Sequence, residues 1–301
     1  MSADKTSFTK PFLKWAGNKF RILDKVEDAI TKHQGGRTKY IEPFGGSGAV
    51  VANVGHLFSG GRTYGEFNAE LVHLMQALQN DLPGLLEETL ELFVADNNVK
   101  EEYYDLRDEF NEYVHGKRKG AVKKSARFIY LNRHCFNGLC RYGPNGFNVP
   151  FGRYAKTMAP IEELKAFSVL MKGVSIEGPC SFEETMAKAD KDTLVYCDPP
   201  YFPLTETSKF TQYSDKSGFG QEMQKELAVA AAKCAKRGAV VLISNHDVPA
   251  CSELYQGVAK EHGLKEVLFR KFDVPRFISA KGKDRGKPAG ELIAVFEAKQ
   301  R

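Results

Sequence analysis

Apolar and polar positions along the chain fall into two rhythms, one before and after the middle of the sequence and another within it. Thr38 to Phe44 reads as a strand, Gly45-Gly46-Ser47-Gly48 interrupts it, Ala49 to Phe58 reads as a helix, and Arg62 to Glu66 as the next strand. This strand–loop–helix–strand order is that of a nucleotide-type binding unit. From Asn68 to about Arg133 the spacing turns helical. Leu71, Leu74, Met75, Leu78 and Leu82 share one face, and Ala121, Ser125, Phe128, Ile129 and Asn132 follow a similar one. The block ends in Asn137 to Tyr154, where Gly138, Gly143, Pro144, Asn145, Gly146 and Gly152 alternate with aromatics, as in a hairpin or ordered loop. The first rhythm then resumes, with strands at Val174–Glu177, Thr193–Cys197 and Ala239–Ser244 and helices at Phe182–Ala189 and Gln221–Arg237. Leu264–Phe272 and Glu291–Ala298 are placed to close it as an antiparallel pair joined by a basic loop. The pattern predicts an α/β domain, residues 1–70 and 160–301, interrupted by an α-rich domain at 71–159.

Composition narrows the class. Hydrophobic content of 42% and charged content of 27% are those of an ordinary globular protein, and no apolar run is long enough to cross a bilayer. The start, Met1-Ser2-Ala3-Asp4-Lys5, has no hydrophobic signal core, so a cytoplasmic location is expected. Six scattered cysteines without a Cys-x-x-Cys pair read as reduced, mostly buried thiols. The net charge of +5 is too small to name a polyanionic partner. Its distribution says more. Arg270 to Lys287 holds seven basic residues against two acids, and a second cluster comprises Lys117, Arg118, Lys119, Lys123, Lys124, Arg127 and Arg133. Both suit phosphate contacts, and both also suit a solvated helix face or loop.

The chemistry gathers at the tip of the Thr193–Cys197 strand, in Asp198-Pro199-Pro200-Tyr201. Open α/β sheets keep their ligand sites at such tips. Two prolines remove two backbone donors and hold the chain extended, which leaves nearby carbonyls available to an amino group. Asp198 can accept a second hydrogen bond and Tyr201 offers a face for stacking, so the set suits a flat base carrying an exocyclic amine. The plain alternative is a proline turn with a solvated aspartate. In Glu42-Pro43-Phe44-Gly45-Gly46-Ser47-Gly48 the small residues let the backbone approach a ligand and start a helix whose N–H groups face it. The Gly-x-Gly-x-x-Gly spacing of dinucleotide sites is absent. Glu66, ending the next strand, is placed to accept from the two hydroxyls of a ribose, or is simply an exposed glutamate.

With Pro11-Phe12-Leu13-Lys14-Trp15-Ala16-Gly17-Asn18-Lys19, these elements complete a set that resembles the Dam-type DNA adenine methyltransferases, the alpha-ordered amino-methyltransferases that use S-adenosylmethionine. The matching segments also include Tyr103-Tyr104-Asp105-Leu106-Arg107, Leu131-Asn132-Arg133, Asn137 to Tyr142, Phe147 to Tyr154, Val195 to Tyr201 and Leu242 to Asp247, in family order over nearly the full length. The resemblance implies a Rossmann-like methyltransferase sheet with an inserted α-rich target-recognition domain carrying a β-hairpin. It implies transfer of a methyl group from S-adenosylmethionine to adenine in duplex DNA, at GATC, with no metal. Trp15, Ala16 and Lys19 would line the cofactor site, Pro43, Phe44, Gly45, Gly46 and Ser47 would pass under its methionine portion, Glu66 would hold the ribose, and Phe182 would wall the adenine pocket. Asp198, Pro199, Pro200 and Tyr201 would bind the target adenine. Lys14, Arg133, Phe136, Asn137, Leu139, Arg141, Pro150 and Tyr154 would meet the DNA. Three positions depart from the pattern: Asn18 replaces a glycine, Glu66 an aspartate, and Phe136 a tyrosine. The hairpin is one residue shorter after Arg141, and the Arg276–Lys287 loop matches poorly.

The implied reaction is direct displacement by the exocyclic nitrogen of an adenine flipped out of the duplex. Other readings compete. Pro179-Cys180 would suit a cytosine carbon-5 methyltransferase, but Asp198-Pro199-Pro200-Tyr201 is an amino-group element. An RNA adenine or a protein amide is a further acceptor, whose enzymes usually carry asparagine where this chain has Asp198. A binding protein that kept the fold and lost turnover is a third. His246 follows a strand and could reach the site, yet a helix-capping turn explains Ser244-Asn245-His246-Asp247 equally well, and it stays outside the catalytic set.

Overall fold

The protein is described from a computed structural model covering residues 8–203, 219–275 and 288–298. In chain order, the elements begin with α1 (Leu23–Gln34), β1 (Lys39–Glu42), α2 (Ala49–Asn53), β2 (Arg62–Gly65), α3 (Ala69–Asn80) and α4 (Leu82–Leu92). Next come α5 (Lys100–Val114), α6 (Ala121–His134), β3 (Tyr142–Gly143), β4 (Gly146–Phe147), α7 (Ile161–Met171) and β5 (Val174–Glu177). The last are α8 (Phe182–Met186), β6 (Thr193–Cys197), α9 (Gln221–Lys236), β7 (Val240–His246), α10 (Pro249–Glu261), β8 (Leu268–Pro275) and β9 (Pro288–Glu297). They pack as two compact units, residues 1–23, 46–55 and 66–179 in one and 24–45, 56–65 and 180–301 in the other.

The second unit is built on a sheet in which β2, β1, β6 and β7 run parallel, and β9 pairs antiparallel with both β7 and β8. Every residue of β6 is buried, as expected of a continuous apolar run flanked on both sides by parallel neighbours. Its tip delivers Asp198. The small residues Ala228, Ala231, Ala232 and Ala235 of α9 lie in the same buried cluster as Val195, Cys197, Val241 and Ile243. The antiparallel pair expected at the end of the chain is present as β8 and β9. Of the basic loop between them, Arg276, Lys281, Lys283, Asp284, Arg285 and Lys287 lie outside the described residues.

The first unit is mostly helical. The face carrying Leu71, Leu74, Met75 and Leu78 is buried as expected, but one helix does not continue to Leu82. Asp81 ends α3 and starts α4, its carboxylate accepting from the Gly84 N–H at 3.0 Å with Pro83 in the first turn. The helix expected from Ala49 to Phe58 stops at Asn53, whose side chain donates to the Ala49 and Thr9 carbonyls. The glycine- and aromatic-rich segment forms a true hairpin, with Tyr142 opposite Phe147 and Gly143 opposite Gly146 across the two-residue Pro144-Asn145 turn.

All six cysteines are free thiols, and burial pushes Cys135, Cys140 and Cys251 up to about 12. None of these three carries thiolate character at neutral pH. No helix among the described residues is long and apolar enough to cross a membrane.

Candidate functional site

In the second unit, the chain leaves β6 through half-buried Asp198, buried Pro199, exposed Pro200, half-buried Tyr201 and buried Phe202. The Tyr201 hydroxyl donates to Glu291 Oε2 at 3.2 Å, and its ring meets that of His246 edge-on with centroids 4.8 Å apart. Burial, then the neighbouring charges of Asp198 and Glu291, push the Tyr201 phenol well above its ordinary range, so it remains a neutral ring. His246 Nδ1 lies 2.6 Å from the Phe202 carbonyl, which fixes Nδ1 as the protonated nitrogen. The Pro200 carbonyl, one of those expected to remain available, accepts from Gln224 Nε2 at 2.6 Å. Of the turn's carbonyls, that of Pro200 is therefore already committed to a partner behind it.

Of the two readings left open for Ser244 to Asp247, the helix-capping turn does not hold. Ser244, Asn245 and His246 belong to β7, paired with β9 out to His246–Glu291. The helix α10 is preceded by Val248, with no side-chain cap. The Asn245 side chain is engaged elsewhere, its Oδ1 accepting from the Phe202 N–H at 2.8 Å.

Pro43 and Gly45 are buried and Phe44 is half-buried. Phe44 stacks on Phe182, centroids 5.4 Å apart, and meets Phe219 edge-on at 5.6 Å. Phe182, expected to wall a pocket, is thus itself buried with its ring against these two. The Gly45 N–H donates to the Gly65 carbonyl at 2.9 Å, and a Cβ on Gly45 would stand 2.2 Å from the Tyr64 ring.

The first unit holds the remaining cofactor candidates. Gly46 (φ +51°) donates its N–H to Glu66 Oε2, and Asn68 donates its N–H to Glu66 Oε1, both at 2.8 Å. Burial raises the Glu66 pKa, and the N–H groups of Asn68, Gly46 and Phe67 oppose that shift. A carboxylate offers about four lone-pair directions, so acceptor capacity remains beside these backbone donors. A Cβ on Gly46 would stand 3.1 Å from Trp15 Nε1, so the indole lies directly over the turn. Ala16 is exposed, Ser47 is buried, and Lys19 is buried with its ammonium donating to the Gly17 carbonyl at 2.8 Å. Asn18, the departure from glycine, sits at φ −58° and needs no glycine there. It caps the short 3-10 turn Lys19–Ile22 by accepting from the Phe20 N–H, and donates to the Trp15 carbonyl. Phe67, which the sequence reading did not single out, is 79% exposed beside Glu66. Its signal was the position next to an acidic strand end.

The same unit holds the candidate DNA-contacting residues. The hairpin is fastened at its base. Asn111 of α5 accepts from the Phe147 N–H at 2.7 Å and donates to the Phe147 carbonyl at 3.1 Å, and the Tyr103 hydroxyl donates to the Val149 carbonyl at 2.7 Å. Asn132 of α6 accepts from the Lys14 N–H at 2.8 Å and donates to the Lys14 carbonyl at 2.7 Å. Above these ties Phe136, Asn137, Arg141 and Pro150 are exposed and Leu139 and Tyr154 half-buried. Arg141 rests on Asn148, donating from Nε to Oδ1 at 2.6 Å and from Nη2 to the carbonyl at 3.1 Å. The Tyr154 hydroxyl accepts from the Asn137 N–H at 2.9 Å, and the Lys14 ammonium lies 4.2 Å from the Tyr154 ring centre while donating to the Arg133 carbonyl. Burial, then Arg133, lower the Lys14 pKa.

The mid-chain basic cluster turns out to be largely neutralised from within. Arg118 pairs with Glu109 and Glu112, Lys123 with Glu88, Lys124 with Glu70, Arg127 with Glu109 and Glu88, and Arg133 with Glu163. It ties α6 to its neighbours rather than presenting a bare cationic face.

A mostly parallel sheet with an acidic, proline-rich strand tip, a glycine turn and a helical segment carrying a hairpin defines a methyltransferase acting on an amino group. Comparison with known proteins agrees. The family described as D12 class N6 adenine-specific DNA methyltransferase matches residues 15–268. A DNA adenine methylase of Haemophilus influenzae is 37% identical over 296 residues, covering 97% of this chain and 95% of that protein. DNA adenine methylases of Vibrio cholerae and Escherichia coli are 37% and 38% identical, covering 95% and 96% of this chain and 96% and 95% of theirs. The chain belongs to the D12 class of adenine-specific DNA methyltransferases.

Proposed function

We propose that this DNA adenine methyltransferase takes its methyl group from S-adenosylmethionine and places it on the exocyclic nitrogen of a flipped adenine within GATC. The observation that carries the reading is the Asp198–Tyr201 turn, a half-buried carboxylate and an aromatic ring at the tip of β6 with the turn's own backbone held from behind. Glu66, with acceptor capacity left beside its backbone donors, and the Gly46 turn under Trp15 fit a ribose and a close-lying methionine chain. When bound, S-adenosylmethionine supplies a methyl on a sulfonium that departs as a neutral thioether. Asp198 and the Pro199 carbonyl accept from the adenine amine and favour the tetrahedral nitrogen, whose lone pair is then free to attack. Tyr201 stacks on the extruded base and offsets part of the unstacking cost of roughly a few kcal/mol. Residues 71–159 serve target recognition, with Leu139, Arg141, Pro150 and Tyr154 reading bases, Phe136 entering the stack and Arg133 and Asn137 beside it, and Lys14 from the N-terminal segment meets the outer base pair. Residues 1–70 and 160–301 serve catalysis.

The test is transfer of labelled methyl to three duplexes: one with a single GATC, one with that site scrambled, and one with its adenines already methylated. We expect label in the first alone, and at least about 100-fold less with Asp198→Ala, the scale of losing one preorganised acceptor in a water-excluded site. Equal label in the first two would remove the GATC assignment. Full activity in Asp198→Ala would remove the acceptor site.

A further inference from the structure

Behind the Pro-Pro-Tyr turn lies a polar cluster that the proposed chemistry does not use. Gln224 of α9 is 2% exposed, and Asn245 of β7 and Tyr255 of α10 are fully buried. Gln224 Nε2 donates to the Pro200 carbonyl at 2.6 Å, and Asn245 Oδ1 accepts from the Phe202 N–H at 2.8 Å and the His246 N–H at 2.9 Å. Asn245 Nδ2 donates to the Tyr255 hydroxyl at 2.9 Å and to Gln224 Oε1 at 3.2 Å, and the Tyr255 hydroxyl donates to Gln224 Oε1 at 3.3 Å. Both Asn245 amide hydrogens and both acceptor directions of each amide oxygen are therefore in use. Burying three polar side chains costs stability unless every group is paired, and here the pairing converges on main-chain groups. Those groups, the Pro200 carbonyl and the Phe202 N–H, are the two that flank Tyr201. His246 holds the Phe202 carbonyl as well.

We propose that Gln224, Asn245 and Tyr255 are positioning residues for methyl transfer, fixing the Pro199–Tyr201 backbone so that its acceptors and the Tyr201 ring face the target amine. Two main-chain bonds to one buried cluster leave the turn neither a hinge nor a choice of carbonyl direction. A loop held only by its two prolines would keep the extended shape and lose the orientation about its own axis. The inference rests on the reading that this turn binds the acceptor adenine.

Gln224→Glu tests it with a change of essentially one atom. The variant keeps the oxygen that receives Asn245 and Tyr255 and replaces the donor to Pro200 with an oxygen. When ionised, that oxygen repels the Pro200 carbonyl; when protonated, it donates to it. In single-turnover methyl transfer to a GATC duplex at alkaline pH we expect a rate about 100-fold below wild type, the scale of a misplacement near 1 Å. KM for DNA and the affinity for S-adenosylmethionine should stay within about threefold, since the residue touches neither ligand. As pH falls and the buried carboxylate takes up a proton, the deficit should narrow, because burial raises a glutamate's pKa. Tyr255→Phe, which removes only a hydroxyl, should lose about tenfold in kcat with the same KM, and it carries the test if the first variant does not fold. Rates within about threefold of wild type at every pH would overturn the proposal, as would a loss shared equally by cofactor affinity and melting temperature with no recovery in acid. Wild-type and Asp198→Ala enzymes run beside them separate the two ideas. An active Asp198→Ala sinks the acceptor reading, whereas an inactive one beside an unimpaired Gln224→Glu sinks only the positioning role.

Discussion

The turn at Asp198–Phe202 and the hairpin within Asn137–Tyr154 are both short segments carrying the proposed functional side chains, but they are held in opposite ways. The turn is fixed along its backbone by buried side chains on either side of Tyr201. The hairpin is fastened at Phe147 and Val149 by Asn111 and Tyr103, while the side chains of Arg141 and Asn148 rest on each other at the exposed surface. Methyl transfer needs one geometry, because the attacking nitrogen must line up with a single bond. Base reading needs side chains that can leave one partner for another, and an exposed arginine on an asparagine is ready to do so.

Acid should separate the two regions most widely. His134, at the end of α6 just before the hairpin, is buried against Tyr130 and Phe93, and burial lowers its pKa from 6.5 to about 4. Its folded pKa lies below its unfolded value, so the stabilisation is complete above pH 6.5 and is lost as pH falls toward 4. The loss amounts to about 3 kcal/mol. Hydrogen exchange reads it directly. The Gly152 amide, which donates to the His134 carbonyl at 2.8 Å, should lose protection over this range while the Phe202 amide keeps it. Equal loss at both amides would break the comparison. A smaller effect is expected of Arg141→Ala. It should lower discrimination between GATC and a singly altered site by roughly 1–3 kcal/mol while leaving the maximal rate on the preferred duplex nearly intact. A rate loss as large as that of a turn variant would place Arg141 in the chemistry instead. The smallest is expected of Lys123→Gln. Lys123 is paired with Glu88, so the slope of DNA affinity against salt should not change, whereas release of a real phosphate contact would flatten it by about 0.9.

Much of this was legible in the sequence where local pattern and tertiary environment agree. β5 and β6 fall at the expected residues, since a short apolar run ending at a sharp polar boundary admits few other readings. β7 runs two residues beyond its expected end into Asn245 and His246, because pairing with β9 carries the strand through polar side chains whose partners lie on other elements. The α3–α4 break was hidden by Leu82 and Leu85, which continue the apolar spacing across Asp81. The mid-chain basic cluster admitted two readings, phosphate contact or a solvated face, for a similar reason. Its counter-charges, Glu70, Glu88, Glu109 and Glu163, are far enough along the chain that only folding brings them alongside. The side chains of the turn itself stood out as a motif, while Gln224, Asn245 and Tyr255 did not, since a lone polar residue in a helix or strand announces nothing until its partners are in place.

The adjacent glycines of the Phe44–Ser47 segment follow different mutational paths. Gly45 is excluded from change by a neighbour, the Tyr64 ring 2.2 Å from where its Cβ would stand, so a smaller side chain at 64 opens position 45 to alanine. Gly46 is held by its own dihedral, φ +51°, as well as by the Trp15 indole 3.1 Å from where its Cβ would stand, and a change in the neighbour relieves only the second constraint. Drift can therefore rewrite the first glycine in two coupled steps, while the second admits at most a residue that tolerates the left-handed region, as Asn137 does at φ +56°.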